Sequence, residues 1–240
     1  MHAPKGRIHA VDLARGVALL GMALFHFVFD LEMFGHLATG TAISGGWRVL
    51  SVTVAGSFLF LAGVSLYLAH GQGIRRRAFA RRLAVIGGAA GMVTLATWAV
   101  FPERLVYFGI LHSIAVASVI GLVFLRLPAG LTLGAALAVL LMPRPLGPDW
   151  PWLDWTGLTA TNRPSVDFEP VFPWLAPFLA GLALARIAAR AGLWDRMRST
   201  VSPAPSMRAL TWPGRHSLAV YLLHQPVLIG LVWAGTALLR

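Results

Sequence analysis

The sequence predicts an all-α protein that crosses a membrane about seven times. Of its 240 residues, 57% are hydrophobic and only 12% are charged. A soluble domain carries roughly 25% charged residues, so this chain has about half the charge that a water-facing surface needs. Its mean hydropathy is +0.71. A membrane-spanning helix needs about 20 mostly apolar residues, and seven stretches of the chain meet or nearly meet that length.

The seven apolar stretches cover about residues 12–34, 48–70, 83–101, 104–125, 128–142, 171–190 and 217–239. We expect helices because lipid leaves no backbone group unpaired, and because the stretches lack the alternating pattern of a membrane β-barrel. The fifth stretch is the weakest, since it is short and is closed by Pro143. Gly87 and Gly91 have the GxxxG spacing of closely packed helices. With no soluble insertion in view, we expect one domain over residues 1–240.

The distribution of charge predicts the orientation of these helices. If the N-terminus is cytoplasmic and each stretch crosses once, fifteen of the twenty Lys and Arg residues lie on the cytoplasmic side, as the positive-inside rule requires. Most acidic residues, and an outer loop of about 143–170 that contains three Trp residues, lie on the other side. We therefore predict an extracytoplasmic C-terminus. Topology accounts for the net charge of +11, and we expect no nucleic acid partner.

The first predicted helix carries a stripe of ionisable residues on one face. Asp12, Arg15, His26 and Asp30 belong to a series spaced by three or four residues, the repeat of one helix face. Eleven residues, or about 16 Å of helix, separate Arg15 from His26. Asp30 can accept a hydrogen bond from one ring nitrogen of His26 and leave the other as a base; His36 follows in the next loop. The structural alternative is an Asp12–Arg15 ion pair and a buried His26–Asp30 pair.

Further polar residues occur in the fourth and seventh stretches: Tyr107 and His112, and then Arg215, His216, His224 and Gln225. Ionisable residues inside a membrane are costly and often functional, but each of these, taken singly, is better explained as a hydrogen-bonded interior residue than as a catalyst. The histidines lack HxxxH or HExxH spacing and the chain has no cysteine. The sequence therefore predicts no metal site.

Several segments together resemble the heparan-α-glucosaminide N-acetyltransferase family, and most closely its short bacterial members. The likeness begins in the first predicted helix and is spread over nearly the whole chain. The segments that carry it are Val11-Asp12-Leu13-Ala14-Arg15-Gly16-Val17-Ala18 with Met22 and His26, Phe108-Gly109-Ile110-Leu111-His112, Val166-Asp167-Phe168 with Phe172-Pro173-Trp174, and Gly214-Arg215-His216-Ser217 with Tyr221, His224, Gln225 and Pro226.

This resemblance implies a multi-pass acetyltransferase of a bacterial cytoplasmic membrane. The reaction it implies moves an acetyl group from cytoplasmic acetyl-CoA to an amine or hydroxyl of an extracytoplasmic sugar or amino sugar. The catalytic candidates are His26, Asp30 and His36. The wider acyltransferase superfamily has an Arg–His pair with the spacing of Arg15 and His26. In the heparan-type enzymes, however, the position of His26 looks like Asn and the proposed catalytic His lies nearer His36. The choice between the two histidines stays open, as does the choice between direct transfer and an acetyl-His intermediate.

The resemblance also implies which residues bind the two substrates. Residues expected to hold acetyl-CoA are Arg15, Arg215, His216, His112, His224 and Gln225. Residues expected to hold the sugar or glycan acceptor are Tyr107, Asp167, Glu169 and Trp174. Membrane lipid and a second copy of the chain, as a homodimer, are the further partners. The rival hypothesis is a proton-coupled transporter, since buried His and Asp residues also build proton relays.

Overall fold

A computed structural model describes residues 6–146, 150–198 and 204–239. Regular secondary structure in these ranges is helical, with two short 3₁₀ turns at Pro102–Arg104 and Pro151–Thr156. The helices are α1 (His9–Met33), α2 (Gly45–His70), α3 (Arg76–Val100), α4 (Ile110–Phe124), α5 (Ala129–Leu141), α6 (Val171–Arg190), α7 (Leu193–Met197), α8 (Pro205–Arg215) and α9 (Ser217–Leu238).

Five of these helices, α1, α2, α3, α6 and α9, are long and apolar enough to cross a membrane. Their length and composition indicate an integral membrane protein, which confirms the predicted all-α membrane class. The fourth and fifth predicted spans form shorter helices of 15 and 13 residues. The fourth begins late because the 3₁₀ turn and an irregular link precede Ile110, and the fifth begins just after Pro128. Seven crossings and the orientation of the termini therefore stay predictions.

The chain divides into two compact units, with one boundary inside α2 and the other after α6. The first unit contains Met1–Phe58 and Gly192–Arg240, and the second contains Leu59–Ala191. Each unit is described below by itself. The prediction of one domain over the whole chain stays a prediction.

In the first unit, α1 packs against both α8 and α9. A Cβ atom at Gly214 would collide with the backbone carbonyl of Asp12, so α8 approaches α1 as closely as two backbones allow. Contacts between the two segments follow the same order along both, since His26 contacts His224, Asp30 contacts Gln225, and His36, just after α1, contacts Thr236. The helices α1 and α9 therefore run parallel.

In the second unit, the second half of α2 packs backbone to backbone against α6. A Cβ atom at Gly63 would collide with the carbonyl of Phe178, and one at Gly181 would collide with the carbonyl of Phe60. The interior beside this contact is filled by large apolar side chains such as Leu182, which is fully buried. Close packing of this pair of helices therefore depends on two glycines that face the partner backbone.

The GxxxG spacing on α3 does not have the role that the sequence predicts. A Cβ atom added at Gly87 or Gly91 would meet no atom within 4 Å among the described residues. The α3 side chains Met92 and Trp98 are exposed. The predicted close packing at this spacing is therefore wrong in this chain.

The loop between α5 and α6 folds back onto the segment that precedes α4. The backbone N–H of Val166 donates to the carbonyl of Arg104, and that of Glu169 donates to Phe108. Residues 166–169 consequently run beside the start of α4. This arrangement brings the acidic residues of the loop to the N-terminal end of that helix.

Candidate active site

The predicted site residues fall into two groups, one in each compact unit. The first unit contains Arg15, His26, Asp30, His36, Arg215, His216, His224 and Gln225, and the second contains Tyr107, His112, Asp167, Glu169 and Trp174. Within each group the structure brings some residues into contact and separates others. In each group, therefore, the predicted and observed contacts agree for some residues and differ for others.

The centre of the first group is a cluster between α1 and α9 in which one side chain is buried and three are half-buried. The rings of His26 and His224 lie 5.0 Å apart between centroids. Asp30 lies one turn further along α1, and it accepts a hydrogen bond of 2.7 Å from the side-chain amide of Gln225, the residue after His224. Asp30 is completely buried. Parallel packing of the two helices places these two pairs next to each other, and we call the four side chains the His26–His224 cluster.

Each member of the His26–His224 cluster keeps one buried polar atom that has no hydrogen-bond partner among the described residues. These atoms are His26 Nδ1, Asp30 Oδ2, His224 Nε2 and Gln225 Oε1. Buried polar atoms are nearly always paired in folded proteins, and leaving one unpaired costs about 1–3 kcal/mol. Four such atoms in one cluster point to a bound polar group that completes their hydrogen bonds.

The hydrogen bond that the sequence predicts between His26 and Asp30 is not formed. Asp30 Oδ1 accepts from Gln225 instead, and His26 Nδ1 has no partner in the described part of the chain. A completely buried carboxylate needs a donor, and the parallel packing of α9 supplies an amide for that purpose. Asp30 therefore joins α1 to α9 rather than orienting the His26 ring.

His36 lies apart from this cluster, at the far end of α9. Its Nε2 is 2.7 Å from the hydroxyl of Thr236, and twelve residues, or roughly 18 Å of helix, separate Thr236 from His224. A largely apolar cavity of about 370 Å³ adjoins the pair and is lined by Phe27, Leu31, His36, Leu231, Val232, Gly235, Thr236 and Leu239. His26 and His36 therefore belong to different sites in this conformation.

A cluster of positive charge surrounds Asp12 near the start of α1. Arg7 Nε lies 2.6 Å from the carboxylate, Arg15 Nη1 lies 3.3 Å from it, and Arg215 Nε lies 3.9 Å from it. The Asp12–Arg15 ion pair that the sequence offers as a structural alternative is present, and α8 adds Arg215. Because one buried carboxylate faces three guanidinium groups, the cluster carries an excess of positive charge. His216 is exposed and contacts Trp212.

In the second unit, Asp167, Glu169 and Trp174 lie near the start of α4. Asp167 Oδ2 accepts from the backbone N–H of Ile110 at 3.5 Å, and the nearby Trp174 side chain acts to lower the pKa of Glu169. Burial raises the pKa of Asp167, while the N–H of Ile110 opposes that rise. Burial, and then the charge of Asp167, raise the pKa of Glu169. The two carboxyl groups therefore hold a proton more readily than isolated ones.

Tyr107, in the same unit, contacts Arg163, which in turn pairs with Asp154. Sequence analysis did not identify Arg163 or Asp154 as site residues. The Arg163 guanidinium lies 4.1 Å above the centre of the Tyr107 ring. The same guanidinium donates two hydrogen bonds, of 2.6 and 3.1 Å, to Asp154. Burial would raise the pKa of Asp154, but the hydrogen bonds and charge of Arg163 outweigh it and hold that pKa below its usual range. Burial, and then the charge of Asp154, raise the pKa of Tyr107.

His112 is engaged through both ring nitrogens. Its Nδ1 accepts from the backbone N–H of Gly109 at 3.3 Å, and its Nε2 lies 3.4 Å from the Thr94 hydroxyl, which itself donates to Val106. Each nitrogen is thus used to secure the start of α4. In this conformation His112 has no free nitrogen to offer a ligand, so its expected role toward acetyl-CoA stays a prediction.

Comparison with known families now adds to this geometry. The model of the family described as heparan-alpha-glucosaminide N-acetyltransferase, catalytic, matches residues 7–226. The chain belongs to this family. Membership suggests a membrane acetyltransferase activity, and the matched range includes every site residue that the sequence predicts. No curated protein and no solved structure gives a significant match.

Proposed function

We propose that this protein transfers an acetyl group from acetyl-CoA to an amine or hydroxyl of a sugar, with a histidine of the His26–His224 cluster as the general base. The observation that carries the proposal is the set of four buried polar atoms without partners in the described ranges. A general base must reach the proton it removes at hydrogen-bond distance, and these atoms offer that contact. Family membership supplies the reaction type.

The excess positive charge around Asp12 is suited to the phosphate groups of CoA. Arginine binds phosphate through paired hydrogen bonds, and Arg15 and Arg215 reach the same carboxylate from two helices. About 16 Å of helix separates Arg15 from His26, a distance that an extended pantetheine arm can bridge. The thioester would then lie at the His26–His224 cluster.

The hydrogen-bonding capacity of the cluster favours an amine over a hydroxyl as acceptor. The free atoms of Asp30 and Gln225 are carboxylate and amide oxygens, and both can only accept. An amine brings two or three donors, whereas a hydroxyl brings one. Several acceptors without donors are therefore satisfied better by an amino sugar. The residues predicted to hold a sugar in the second unit, Asp167, Glu169 and Trp174, stay a separate prediction.

The proposed topology would place the acetyl donor and the sugar acceptor on opposite sides of the membrane. With a cytoplasmic N-terminus, the Arg15 end of α1 faces cytoplasmic acetyl-CoA, and the loop with Asp167 faces the outside. A bacterial cytoplasmic membrane is the proposed location. Direct transfer to the acceptor is proposed, and an acetylated histidine is the alternative course.

The test uses protein purified in detergent and then in liposomes. Binding of CoA and acetyl-CoA is titrated for the wild type and for Arg15→Ala, with Arg48→Ala as a control because Arg48 is an exposed arginine on α2. Transfer of labelled acetyl from acetyl-CoA to glucosamine is then measured. We expect binding that Arg15→Ala weakens and Arg48→Ala does not, followed by transfer. A wild type that neither binds CoA nor transfers acetyl would overturn the proposal.

A further inference from the structure

The two histidines of the His26–His224 cluster differ in the way their rings are held. His224 Nδ1 lies at hydrogen-bond distance, 2.5 Å, from the backbone carbonyl of Tyr221. A carbonyl oxygen can only accept, so the hydrogen must reside on Nδ1. In a neutral imidazole the other nitrogen then carries the lone pair. His224 Nε2 is thus unprotonated, and it is the buried ring atom without a partner among the described residues.

No hydrogen bond of this kind fixes the position of the ring hydrogen on His26. Its Nδ1 is buried and has no partner in the part of the chain that the structure describes. The free atoms of Asp30 and Gln225 are oxygens, and the amide nitrogen of Gln225 already donates to Asp30. Acyl transfer also needs a donor for the oxygen of the tetrahedral intermediate. His26 Nδ1 is the free atom of the cluster that can carry a hydrogen without a change in charge.

We infer that the two histidines have separate roles: His224 accepts the proton, and His26 donates a hydrogen bond from Nδ1 to the thioester oxygen. The inference rests on the proposed function, and it assigns the base to α9 rather than to the α1 stripe. A centroid separation of 5.0 Å between the rings allows both to contact one reacting group.

The step balances as follows for a neutral amine acceptor. The amine nitrogen attacks the thioester carbonyl carbon, a C–N bond forms, and the carbonyl electron pair moves to the oxygen that His26 holds. His224 Nε2 takes one proton from the amine nitrogen. When the intermediate collapses, the C–S bond breaks, and His224 returns the proton to the departing CoA thiolate. The products are the acetamide, free CoA thiol and neutral His224.

Asparagine substitutions separate the two roles, because the asparagine amide nitrogen lies where Nδ1 of histidine lies and nothing replaces Nε2. His224→Asn keeps the donor to Tyr221 but removes the base, so we expect kcat to fall by about 10²- to 10⁴-fold. His26→Asn keeps a donor, and we expect a loss of less than about tenfold, whereas His26→Ala should lose about 100-fold or more. Leu223→Ala, beside His224 on an exposed face, is the control for damage to α9.

Equal losses for the two asparagine variants, or a His224→Asn variant within about threefold of wild type, would overturn the inference while the wild type still transfers acetyl. A wild type without any transfer would instead overturn the proposed function. The tautomer can be tested without turnover by ¹⁵N NMR of histidine-labelled protein, with the His224 signal assigned by its loss in His224→Asn. We expect the hydrogen on Nδ1, and a hydrogen on Nε2 would contradict the inference.

Discussion

The side-chain amide of Gln225 donates a 2.7 Å hydrogen bond to Asp30, across 195 positions of sequence. This bond joins the last helix of the chain to the first, and it holds a carboxylate that is completely buried. Asp30 lies one turn beyond His26 on α1 and Gln225 directly follows His224 on α9, so the bond also joins the helix segments that carry the two rings. The relative position of α1 and α9 is therefore a property of the candidate site as well as of the fold.

A double-mutant cycle tests this link. We expect Gln225→Ala to lower the free energy of unfolding by about 2 kcal/mol, since it leaves a buried acceptor unpaired. The coupling between Asp30→Ala and Gln225→Ala should be about 1 kcal/mol, measured by denaturant unfolding in detergent. Asp30→Asn retains an acceptor oxygen and serves as the mild control. Strictly additive effects would show that the two side chains do not stabilise each other.

Substitution of Gly214 tests the close approach of α8 to α1. A Cβ atom there would collide with the Asp12 carbonyl, so Gly214→Ala must push the helices apart and lower the unfolding temperature. Gly230→Ala is the matched control, because Gly230 lies within α9 and a Cβ would meet no described atom within 4 Å. We expect that variant to gain about 0.5–1 kcal/mol from helix propensity. Equal effects of the two alanines would contradict the packing.

The pH dependence of stability tests the environment of Glu169. Burial raises its pKa above the ordinary value of 4.5, so the folded protein binds the proton more tightly than the unfolded chain. The resulting stability is fully present below pH 4.5 and is lost as the pH rises through the raised pKa. We expect the unfolding temperature to fall over that range, and to fall less in Glu169→Gln. Glu103→Gln removes an exposed carboxylate and controls for charge; the same slope in both variants would exclude Glu169 as the cause.

Acetyl transfer by His36 variants tests the separation of the two candidate sites. His36 bonds Thr236, roughly 18 Å along α9 from His224, so His36→Ala should retain transfer within about threefold while His26→Ala loses about 100-fold. Thr236→Val removes the His36 partner and controls for local damage. The reverse order of losses in a kcat measurement would place the chemistry at His36.

Hydropathy predicted the long helices well because a span depends mainly on its own composition. The predicted bounds of 12–34 and 171–190 correspond to α1 and α6 within a few residues. The sequence places the start of α4 too early because the segment 104–109 is mostly apolar after Arg104, yet its polar backbone is paired elsewhere. Its Arg104 and Phe108 carbonyls accept from the outer loop. Such pairing across about sixty residues leaves no periodic pattern in the sequence.

Composition alone determined the membrane class, the resemblance of several segments indicated the family, and the positions of ionisable residues defined a short set from which a site can be built. Only the tertiary structure decided which of those residues meet. It pairs Asp30 with Gln225 rather than with His26, brings Arg215 to Asp12, joins Arg163 to the buried Asp154, and separates His36 from His26. These pairings depend on how helices distant in sequence pack against one another. A buried charge forms its hydrogen bond with the donor that this packing brings nearest.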